Sequence, residues 1–283
     1  MKAENFAVFI LSHGRAKNVI TIKTLRDVGY TGKIYIIIDN EDDQAEEYKK
    51  IDDVENVIIF DKKQEMERTD TADNFKDHRL VVYARNKCHD IAKNLGLTYF
   101  LELDDDYTGF GIRYADGDVL KRTKIKNADR LFDSMINFLE KTNSLTVAFA
   151  QGGDYIGGTG SKVWNEKLAR KAMNCFFCKT DRPFKFSGST NEDVNAYITY
   201  GNKGELMFTI ADICMDQLQT QSNTGGLTDI YLDNGTYVKS FYSIIHQPQC
   251  VKISTMGNKF MRIHHKISWN KCTPKILNEK WKK

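Results

Sequence analysis

Short apolar runs alternate with amphipathic, helix-like segments through the first third of the chain. One of these runs, IYIIID at residues 34–39, stays apolar up to its last residue, which is typical of a strand buried on both faces of a sheet. Gly29 and Gly96 end two of the helical segments. This alternation predicts a parallel sheet with helices on both faces. The predicted strands are 6–12, 34–39, 57–61 and 99–104, and the predicted helices are 19–28, 42–51 and 80–95.

The second half of the chain has a less regular pattern. The stretch 207–248 does not decide between helix and strand, and long polar loops are expected at 62–78 and 219–227. Taken together, the pattern predicts an α/β, Rossmann-type domain over residues 1–250 with a mostly parallel central sheet. Residues 251–283 would form a C-terminal extension packed on the same domain. The further elements expected are helices at 127–142 and 193–200 and strands at 145–150 and 175–180.

Charge is distributed unevenly between these two parts. The whole chain has a formal net charge of +3. Segment 251–283 contains nine Lys or Arg and one acid, so it carries +8, and residues 1–250 carry +3 − 8 = −5. A basic tail on an acidic body predicts a polyanionic partner such as DNA, although a merely solvated, charged terminus would show the same composition.

The chain shows no sign of a membrane segment or of a cysteine framework. No apolar run approaches the roughly 20 residues that a membrane helix needs, and the run at 6–11 is too short for a signal peptide. We therefore expect a cytoplasmic protein without a membrane partner. Cys175 and Cys178 form an isolated C-x-x-C with no second pair for a zinc site, so buried, reduced cysteines are expected there.

An acidic triplet ends the fourth predicted strand. In α/β sheets, ligands bind at the carboxyl ends of the strands. Asp104 and Asp106 would point the same way if the chain stays extended. Carboxylate oxygens suit Mg²⁺ or Mn²⁺, and such an ion leaves positions open for substrate phosphates. We therefore predict a divalent metal site at Asp104 and Asp106, the alternative being a solvated acidic turn.

The first two predicted strands also end in polar groups. Ser12-His13-Gly14-Arg15 follows the first strand, where Gly14 permits a tight turn and Arg15 suits a phosphate. Asp39 ends the second strand. It could accept hydrogen bonds from a base or ribose, or it could cap the acidic segment that follows. These residues are candidate contacts for a nucleotide donor.

Two helix starts contribute further candidates. Arg85 and Asn86 open the helix before the acidic strand; Arg85 could pair with a phosphate, and Asn86 could contact the nucleotide or fix a loop. A surface arginine is the simpler alternative. Glu192 and Asp193 open a later helix, and a carboxylate there could be the general base that deprotonates an acceptor hydroxyl. Acids are also common in the first turn of any helix because of the helix dipole.

The C-terminal segment 262–269 alternates in polarity. If it is extended, Arg262, His264 and Lys266 share one face, while His265 lies on the other. A basic face beside Trp269 could follow a phosphate backbone or stack on a base, which makes Arg262, His265, Lys266 and Trp269 candidate acceptor contacts. His264 could instead complete the metal site. An ordinary surface strand with a packed tryptophan remains the alternative.

The order of these motifs resembles that of a known family. Strand–SHGR, strand–Asp39, ARN–helix–strand–DDD, an N-E-D helix and an R-I-H-H-x-I-x-W tail are similar to the TET-associated glycosyltransferases, which are found mostly in phages and lie within the broader GT-A superfamily. The similarity spans residues 6 to about 277. SHGR, ARN and DDD in this order indicate a GT-A enzyme, and the tail indicates this particular family.

The resemblance implies a GT-A-like fold and a metal-dependent transfer of sugar from a nucleotide-sugar, expected to be a UDP-sugar. The acceptor would be a hydroxylated pyrimidine in DNA, such as 5-hydroxymethylcytosine or 5-hydroxymethyluracil. It also implies Asp104 and Asp106 as metal ligands, with the D-x-D register open, Asp39 at the base, Arg85 at the diphosphate, and Asp193 as the base of an inverting transfer.

Other functions share part of this motif set. GT-A enzymes that act on a protein, lipid or polysaccharide have the same donor-side motifs, and a nucleotidyltransferase would also use metal and acidic strand ends. A non-catalytic DNA-binding module would explain the tail but not the aspartates.

Overall fold

The computed structural model describes residues 5–74, 78–218, 238–256, 261–272 and 279–281. The strands are β1 (Phe6–Leu11), β2 (Lys33–Asp39), β3 (Asn56–Phe60), β4 (Tyr99–Asp104), β5 (Tyr107–Asp116), β6 (Val119–Lys124), β7 (Thr146–Ala150), β8 (Leu168–Ala169), β9 (Phe176–Lys179), β10 (Met207–Gln217), β11 (Val251–Met256) and β12 (Arg262–Ile267). The α-helices are α1 (Ile20–Asp27), α2 (Ala45–Tyr48), α3 (Lys62–Met66), α4 (Val81–Asn94), α5 (Ala128–Thr142), α6 (Lys162–Glu166), α7 (Glu192–Asn202), α8 (238–246) and α9 (Trp269–Cys272). Short 3₁₀ helices lie at Ala16–Asn18, Gly152–Tyr155, Gly158–Gly160 and Glu279–Trp281.

A large mixed sheet forms the centre of the molecule. Its strand order among the described residues is β3-β2-β1-β4-β9-β7-β10-β5-β6, with β8 paired to β10. Strands β3, β2, β1 and β4 are parallel, as the alternation predicted. Strand β9 then enters antiparallel to both β4 and β7. The α/β class is confirmed. The sheet is mixed, because β7 and β10 are again parallel, whereas β5, β6 and β8 join it through antiparallel pairs.

Strand β9 lies between two strands, β4 and β7, that run in the same direction. Because β9 is antiparallel to both β4 and β7, these two strands point the same way, and the carboxyl ends of β1, β2, β4 and β7 lie along one edge of the sheet. We call this the carboxyl edge. The motifs that follow β1, β2 and β4 therefore meet at one edge.

Alternating side chains of β1 and β4 pack against different helices on the two faces of the sheet. Phe6 packs against Phe132 of α5, with ring centroids 6.0 Å apart. Phe9 lies on the other face of β1 and stacks on Phe100 of β4 at 5.2 Å. His89 of α4 packs against the same Phe100 at 4.9 Å. Helices α4 and α5 thus cover opposite faces, as predicted, and burying such aromatic side chains contributes about 1.5–3 kcal/mol each.

Several elements differ from the sequence-based predictions. The hairpin β5–β6 was not predicted, although Asp116-Gly117 is typical of a hairpin turn and Gly117 supplies the positive φ of 58°. The undecided stretch begins with the long strand β10. The helix expected at 42–51 is limited to α2, and the loop expected at 62–78 includes α3. The loop expected at 219–227 lies outside the described residues.

The C-terminal strands form a separate antiparallel hairpin, β11–β12, so the alternating segment is extended as expected. A disulfide between Cys250 and Cys272, 22 residues apart, joins the residue before β11 to the end of α9. Nothing in the sequence pattern had paired these cysteines. Cys175 and Cys178 are buried and free, as predicted. None of the helices in the described ranges combines the length and apolar character needed to cross a membrane.

Candidate active site

Three adjacent aspartates follow one another at the carboxyl edge, each in a different environment. Asp104 is the last residue of β4, and its side chain is 29% exposed. Asp105 turns inward and accepts hydrogen bonds from Ser12 Oγ at 2.5 Å and from Arg15 Nη1 at 3.1 Å. Asp106 lies half-buried in the turn to β5. Because the strand ends at Asp104, the extended spacing expected for this pair does not hold.

The neighbouring aspartates affect the ionisation of Asp106. Burial, followed by the negative charges of Asp104 and Asp105, raises the pKa of Asp106 to about 7. Like charges this close are unfavourable unless a cation or a proton neutralises them. Asp105 is buried and engaged by Ser12 and Arg15, whereas Asp104 and Asp106 keep partial exposure and are the candidates for a ligand.

A buried arginine lies behind this edge. Arg85 of α4 is 3% exposed, and it donates from Nη1 to Glu102 at 2.7 Å, from Nη2 to Asp104 at 3.0 Å, and from Nε to Glu192 at 3.0 Å. Burial alone would lower the pKa of Arg85, but these carboxylates outweigh it and hold that pKa well above its ordinary value. The guanidinium therefore faces protein carboxylates on three sides, and this burial disfavours the diphosphate contact expected for Arg85.

Asn86, the next residue, holds the loop that precedes α7. Its Nδ2 donates to the carbonyl oxygen of Phe186 at 3.0 Å, and its Oδ1 accepts from the amide nitrogen of Phe186 at 2.8 Å. Nδ2 also lies 3.1 Å from Thr69 Oγ1. In this arrangement Asn86 fixes a loop, which is one of the two roles that the sequence left open.

The turn after β1 is joined to the turn after β2. His13 Nδ1 lies 2.9 Å from Asp39 Oδ2, and Gly14, with φ of +65°, donates from its amide to Asp42 at 2.8 Å. The hydrogen bond to Asp39 raises the pKa of His13 against the opposing effect of burial. Burial would raise the pKa of Asp39, but His13 outweighs it and the pKa is lowered. The two side chains thus stabilise each other's charged forms.

A cleft of about 380 Å³ opens beside this turn. Its volume is within the range typical of small-molecule sites. Two of its lining side chains are cationic, Arg15 and Lys17, and one is acidic, Glu47. The lining residues are Gly14, Arg15, Lys17, Asn18, Gln44 and Glu47.

Helix α7 begins with two buried acids. Glu192 and Asp193 are 6% and 7% exposed, and Asn191 before them adopts a left-handed conformation with φ of 55°. Glu192 is engaged by Arg85. Burial, and after it the charge of Glu192, raises the pKa of Asp193, while Arg85 acts in the opposite direction. A carboxylate with a raised pKa is suited to accept a proton near neutral pH.

Comparison with known protein families identifies the family of this chain. The sequence profile of the TET-associated glycosyltransferases matches residues 6–226, more than half of the chain. The chain belongs to the TET-associated glycosyltransferase family. It is therefore a glycosyltransferase, and the resemblance drawn from its motifs is confirmed. No curated protein matches the sequence significantly.

The C-terminal hairpin of this glycosyltransferase lies beyond the matched range, yet it packs against the start of α7. His265 Nδ1 is 3.2 Å from Asn191 Nδ2, which also donates to the carbonyl oxygen of Lys239 in α8 at 2.8 Å. Burial, followed by the charges of His264 and Lys239, lowers the pKa of His265 to about 4. His265 is thus neutral at pH 7, and its Nδ1 accepts from Asn191, two residues before Asp193.

The predicted metal role of His264 is not supported by the structure. Its ring packs on that of His265, with centroids 4.3 Å apart. In the described ranges, no three His, Cys, Asp or Glu side chains group closely enough to hold a metal ion. His264 is therefore not assembled with Asp104 and Asp106, because strand β12 brings its neighbour to α7 instead.

The remaining tail candidates are only partly described. Lys266 is exposed on β12. The backbones of Arg262 and Trp269 lie in β12 and α9, and their side chains are outside what the structure describes.

Sequence reasoning missed two groups at this site. Glu102 is a carboxylate inside the apolar strand FLELD, and a buried acid needs a partner, which was the available signal. Tyr107 begins β5; its hydroxyl donates to the carbonyl oxygen of Asn174 at 2.6 Å and lies 3.3 Å from Asp104 Oδ2. Nothing local in the sequence identifies Tyr107.

Proposed function

We propose that this glycosyltransferase moves a sugar from a nucleotide-sugar, in the first instance a UDP-sugar, to the hydroxyl of a 5-hydroxymethylpyrimidine in DNA, with inversion at the anomeric carbon. One observation carries the proposal. The acidic edge at Asp104 and the helix start that carries Asp193 are joined through a single guanidinium, since Arg85 contacts both Asp104 and Glu192 at 3.0 Å.

The carboxylates at the carboxyl edge fit a divalent cation. Around Arg85, one guanidinium faces the carboxylates of Glu102, Asp104 and Glu192, so negative charge is in excess, and Asp106 adds to it. Mg²⁺ is commonly held by one or two carboxylates, with phosphates and waters completing its shell. Asp104 and Asp106 would hold Mg²⁺ or Mn²⁺, and the ion would neutralise the departing diphosphate.

The cleft beside the first turn supports the donor proposal. It lies at the carboxyl ends of β1 and β2, on the same edge as Asp104. Arg15 and Lys17 line it and would attract phosphates. Gly14 lines the cleft. Ser12 and His13 precede Gly14 in the same turn, and His13 contacts Asp39, which would bind a base or ribose.

Asp193 is the proposed general base. Its carboxylate would take the proton of the hydroxymethyl group as that oxygen attacks the anomeric carbon, while the bond from this carbon to the diphosphate oxygen breaks. Glu192 is less suited, because it is already bound to Arg85. A substituent on C5 of a pyrimidine projects into the major groove, where its hydroxyl is accessible from the duplex surface.

The hairpin β11–β12 is the proposed acceptor surface. Its strand β12 contacts the start of α7 through His265 and Asn191, and Lys266 on the same strand is exposed. DNA phosphates would bind Arg262 and Lys266, and Trp269 would stack on a base. The proposed location is the cytoplasm, which is consistent with a DNA acceptor and a nucleotide-sugar donor.

UDP release tests the proposal. We expect the protein with Mn²⁺ and a UDP-sugar to release UDP faster when duplex DNA containing 5-hydroxymethylcytosine or 5-hydroxymethyluracil is added, and EDTA to abolish the effect. The matched control is the same duplex without the hydroxymethyl group. Equal stimulation by the unmodified duplex, or stimulation only by a peptide or glycan, would contradict a hydroxymethylpyrimidine acceptor.

A further inference from the structure

We propose that Arg85 is a positioning residue that holds the metal-binding strand and the base-bearing helix in register, and that it does not bind the donor's diphosphate. The inference rests on the proposed function, because that function gives Asp104 and Asp193 their roles. We refer to Arg85 with its three carboxylate partners, Glu102, Asp104 and Glu192, as the arginine clamp.

The clamp joins parts of the chain that are distant in sequence. Arg85 is 17 residues from Glu102 and 107 residues from Glu192. Glu102 and Asp104 lie on the same face of β4 because they are two residues apart in a strand. Glu192 is the first residue of α7. One guanidinium therefore bridges a strand and a helix that share no hydrogen-bond ladder.

Protein groups, rather than water, surround the guanidinium of Arg85. The guanidinium carbon lies 5.2 Å from the ring centroid of Phe176 and 5.8 Å from that of Phe186. Phe176 is paired with Glu102 across β9 and β4, and Phe186 is fixed by both amide atoms of Asn86. Cation–π contact stabilises a desolvated guanidinium. A diphosphate would have to displace one of these partners to reach it.

Arginine is required at this position for geometric reasons. Nε, Nη1 and Nη2 point in three fixed directions, and each reaches a different carboxylate at 2.7–3.0 Å. A lysine ammonium is a single point of charge and cannot match that fork. Without the clamp, Glu102 and Glu192 would be buried carboxylates lacking a partner, a strongly unfavourable arrangement. The strand and the helix would then separate, and Asp104 would move relative to Asp193.

Two conservative variants test the clamp from its two sides. Arg85→Lys keeps the charge and loses the fork, whereas Glu192→Gln keeps the shape and loses one charge. We expect each to lower kcat for sugar transfer by about 100-fold, because displacing reacting groups by about 1 Å costs that much. Affinity for UDP in the presence of Mn²⁺, measured by calorimetry on the full chain, should change by less than about threefold, since ground-state donor contacts persist.

Arg182→Lys is the matched control. Arg182 is half-buried and, like Arg85, makes several contacts, with Nη1 donating to the carbonyl oxygen of Ser144 at 2.7 Å and Nη2 lying 3.1 Å from Glu140 Oε1. It follows β9 near the residue paired with Tyr99, at the opposite end of β4 from Asp104. This variant should lower the melting temperature and leave kcat per folded molecule unchanged.

Two outcomes would overturn the clamp. If Arg85→Lys weakened UDP affinity by about tenfold or more while Glu192→Gln kept wild-type kcat, Arg85 would be a diphosphate ligand. If Arg85→Lys and Glu192→Gln behaved like Arg182→Lys, the cluster would be structural only. Should Arg85→Lys not fold, Glu192→Gln alone decides. Transfer by the wild type to hydroxymethylated DNA tests the proposed function independently of the clamp. If the wild type uses a different acceptor, the kcat values of the variants are compared on that acceptor.

Discussion

At the scale of single residues, the neighbours of each carboxylate decide its role. Asp105 is 2% exposed and bound by Ser12 and Arg15, so its charge is used within the protein. Asp104 ends β4 and Asp106 lies in the turn after it, and both keep partial exposure. Adjacent aspartates are therefore expected to respond differently to the same substitution.

Asp106→Asn should abolish Mn²⁺-stimulated transfer, lowering the rate by more than about 100-fold, because a neutral amide is a poor ligand for a hard cation. Its melting temperature should stay close to that of the wild type. Asp105→Asn is the matched control and should chiefly lower stability, by about 1–3 kcal/mol, since it removes a buried charged acceptor. Full activity of Asp106→Asn, or of the wild type in EDTA, would contradict the metal proposal.

Asp193→Asn should reduce kcat by about 10²–10⁴-fold, because the acceptor hydroxyl loses its base, while UDP affinity should hold. In the wild type the base must be ionised, so kcat should fall as the pH drops through the raised pKa of Asp193. NMR of the product supplies a second check. A product with the donor's own anomeric configuration would exclude the inverting role of Asp193.

At the scale of elements, the contact between β12 and α7 joins the tail to the main domain. His265 and Asn191 are 74 residues apart in sequence and 3.2 Å apart in space. The exposed cation on the same strand, Lys266, then lies on an element that touches the proposed catalytic helix. Acceptor binding should depend on this hairpin and donor binding should not.

Replacing Arg262 and Lys266 together with alanine should weaken DNA binding equally for all sequences, because phosphate contacts carry no base information. The slope of log affinity against log salt should flatten by up to about 0.9 per lost contact. Lys33→Ala is the control, as Lys33 begins β2 at the opposite edge of the sheet. An unaltered salt slope with wild-type DNA affinity would remove the hairpin as the acceptor surface.

The elements that the sequence predicted are those with a local signal. Strands β1 to β4 are mostly apolar, and the groups at their ends could be placed at one edge because parallel strands share an edge. Strand β9 is short, and its antiparallel insertion between β4 and β7 depends on long-range pairing that no local pattern reveals. Strand β6 is almost wholly exposed and polar, so it lacks the apolar signal of a core strand.

Some residues of the site could be predicted from the sequence, but the contacts between them could not. The aspartates after β4 and the acids that open α7 are contiguous motifs, so they could be found from the sequence. The contacts of Arg85 with Glu102 and Glu192, and the contact of His265 with Asn191, cross between elements. Such contacts depend on the tertiary fold, so the sequence alone suggests a phosphate contact for Arg85 and does not indicate its carboxylate partners.

At the scale of the whole molecule, burial of a histidine links stability to pH. His89 is 9% exposed and lies between the rings of Phe100 and Phe184, and burial lowers its pKa from 6.5 to about 4. Below pH 6.5 the unfolded chain binds a proton that the native state excludes. The native state therefore loses stability as the pH falls from about 6.5 towards 4 and regains it above that range.

Urea unfolding of the wild type and of His89→Phe measures this effect. Between pH 7 and pH 5, His89 should cost the wild type about 2 kcal/mol, at 1.36 kcal/mol per pH unit, and the variant should lose that much less. Parallel pH dependence in the two proteins would show that His89 is not a buried neutral histidine.

We propose that the enzyme glycosylates hydroxymethylated pyrimidines in DNA, and nucleoside mass spectrometry detects that product itself. DNA containing 5-hydroxymethylcytosine or 5-hydroxymethyluracil is incubated with the protein, Mn²⁺ and UDP-sugars, then digested to nucleosides. We predict a hydroxymethylated nucleoside heavier by one sugar residue, present with the wild type and lost with Asp193→Asn or EDTA. An unchanged nucleoside profile, with the sugar transferred instead to a protein or glycan, would rule out a hydroxymethylpyrimidine acceptor.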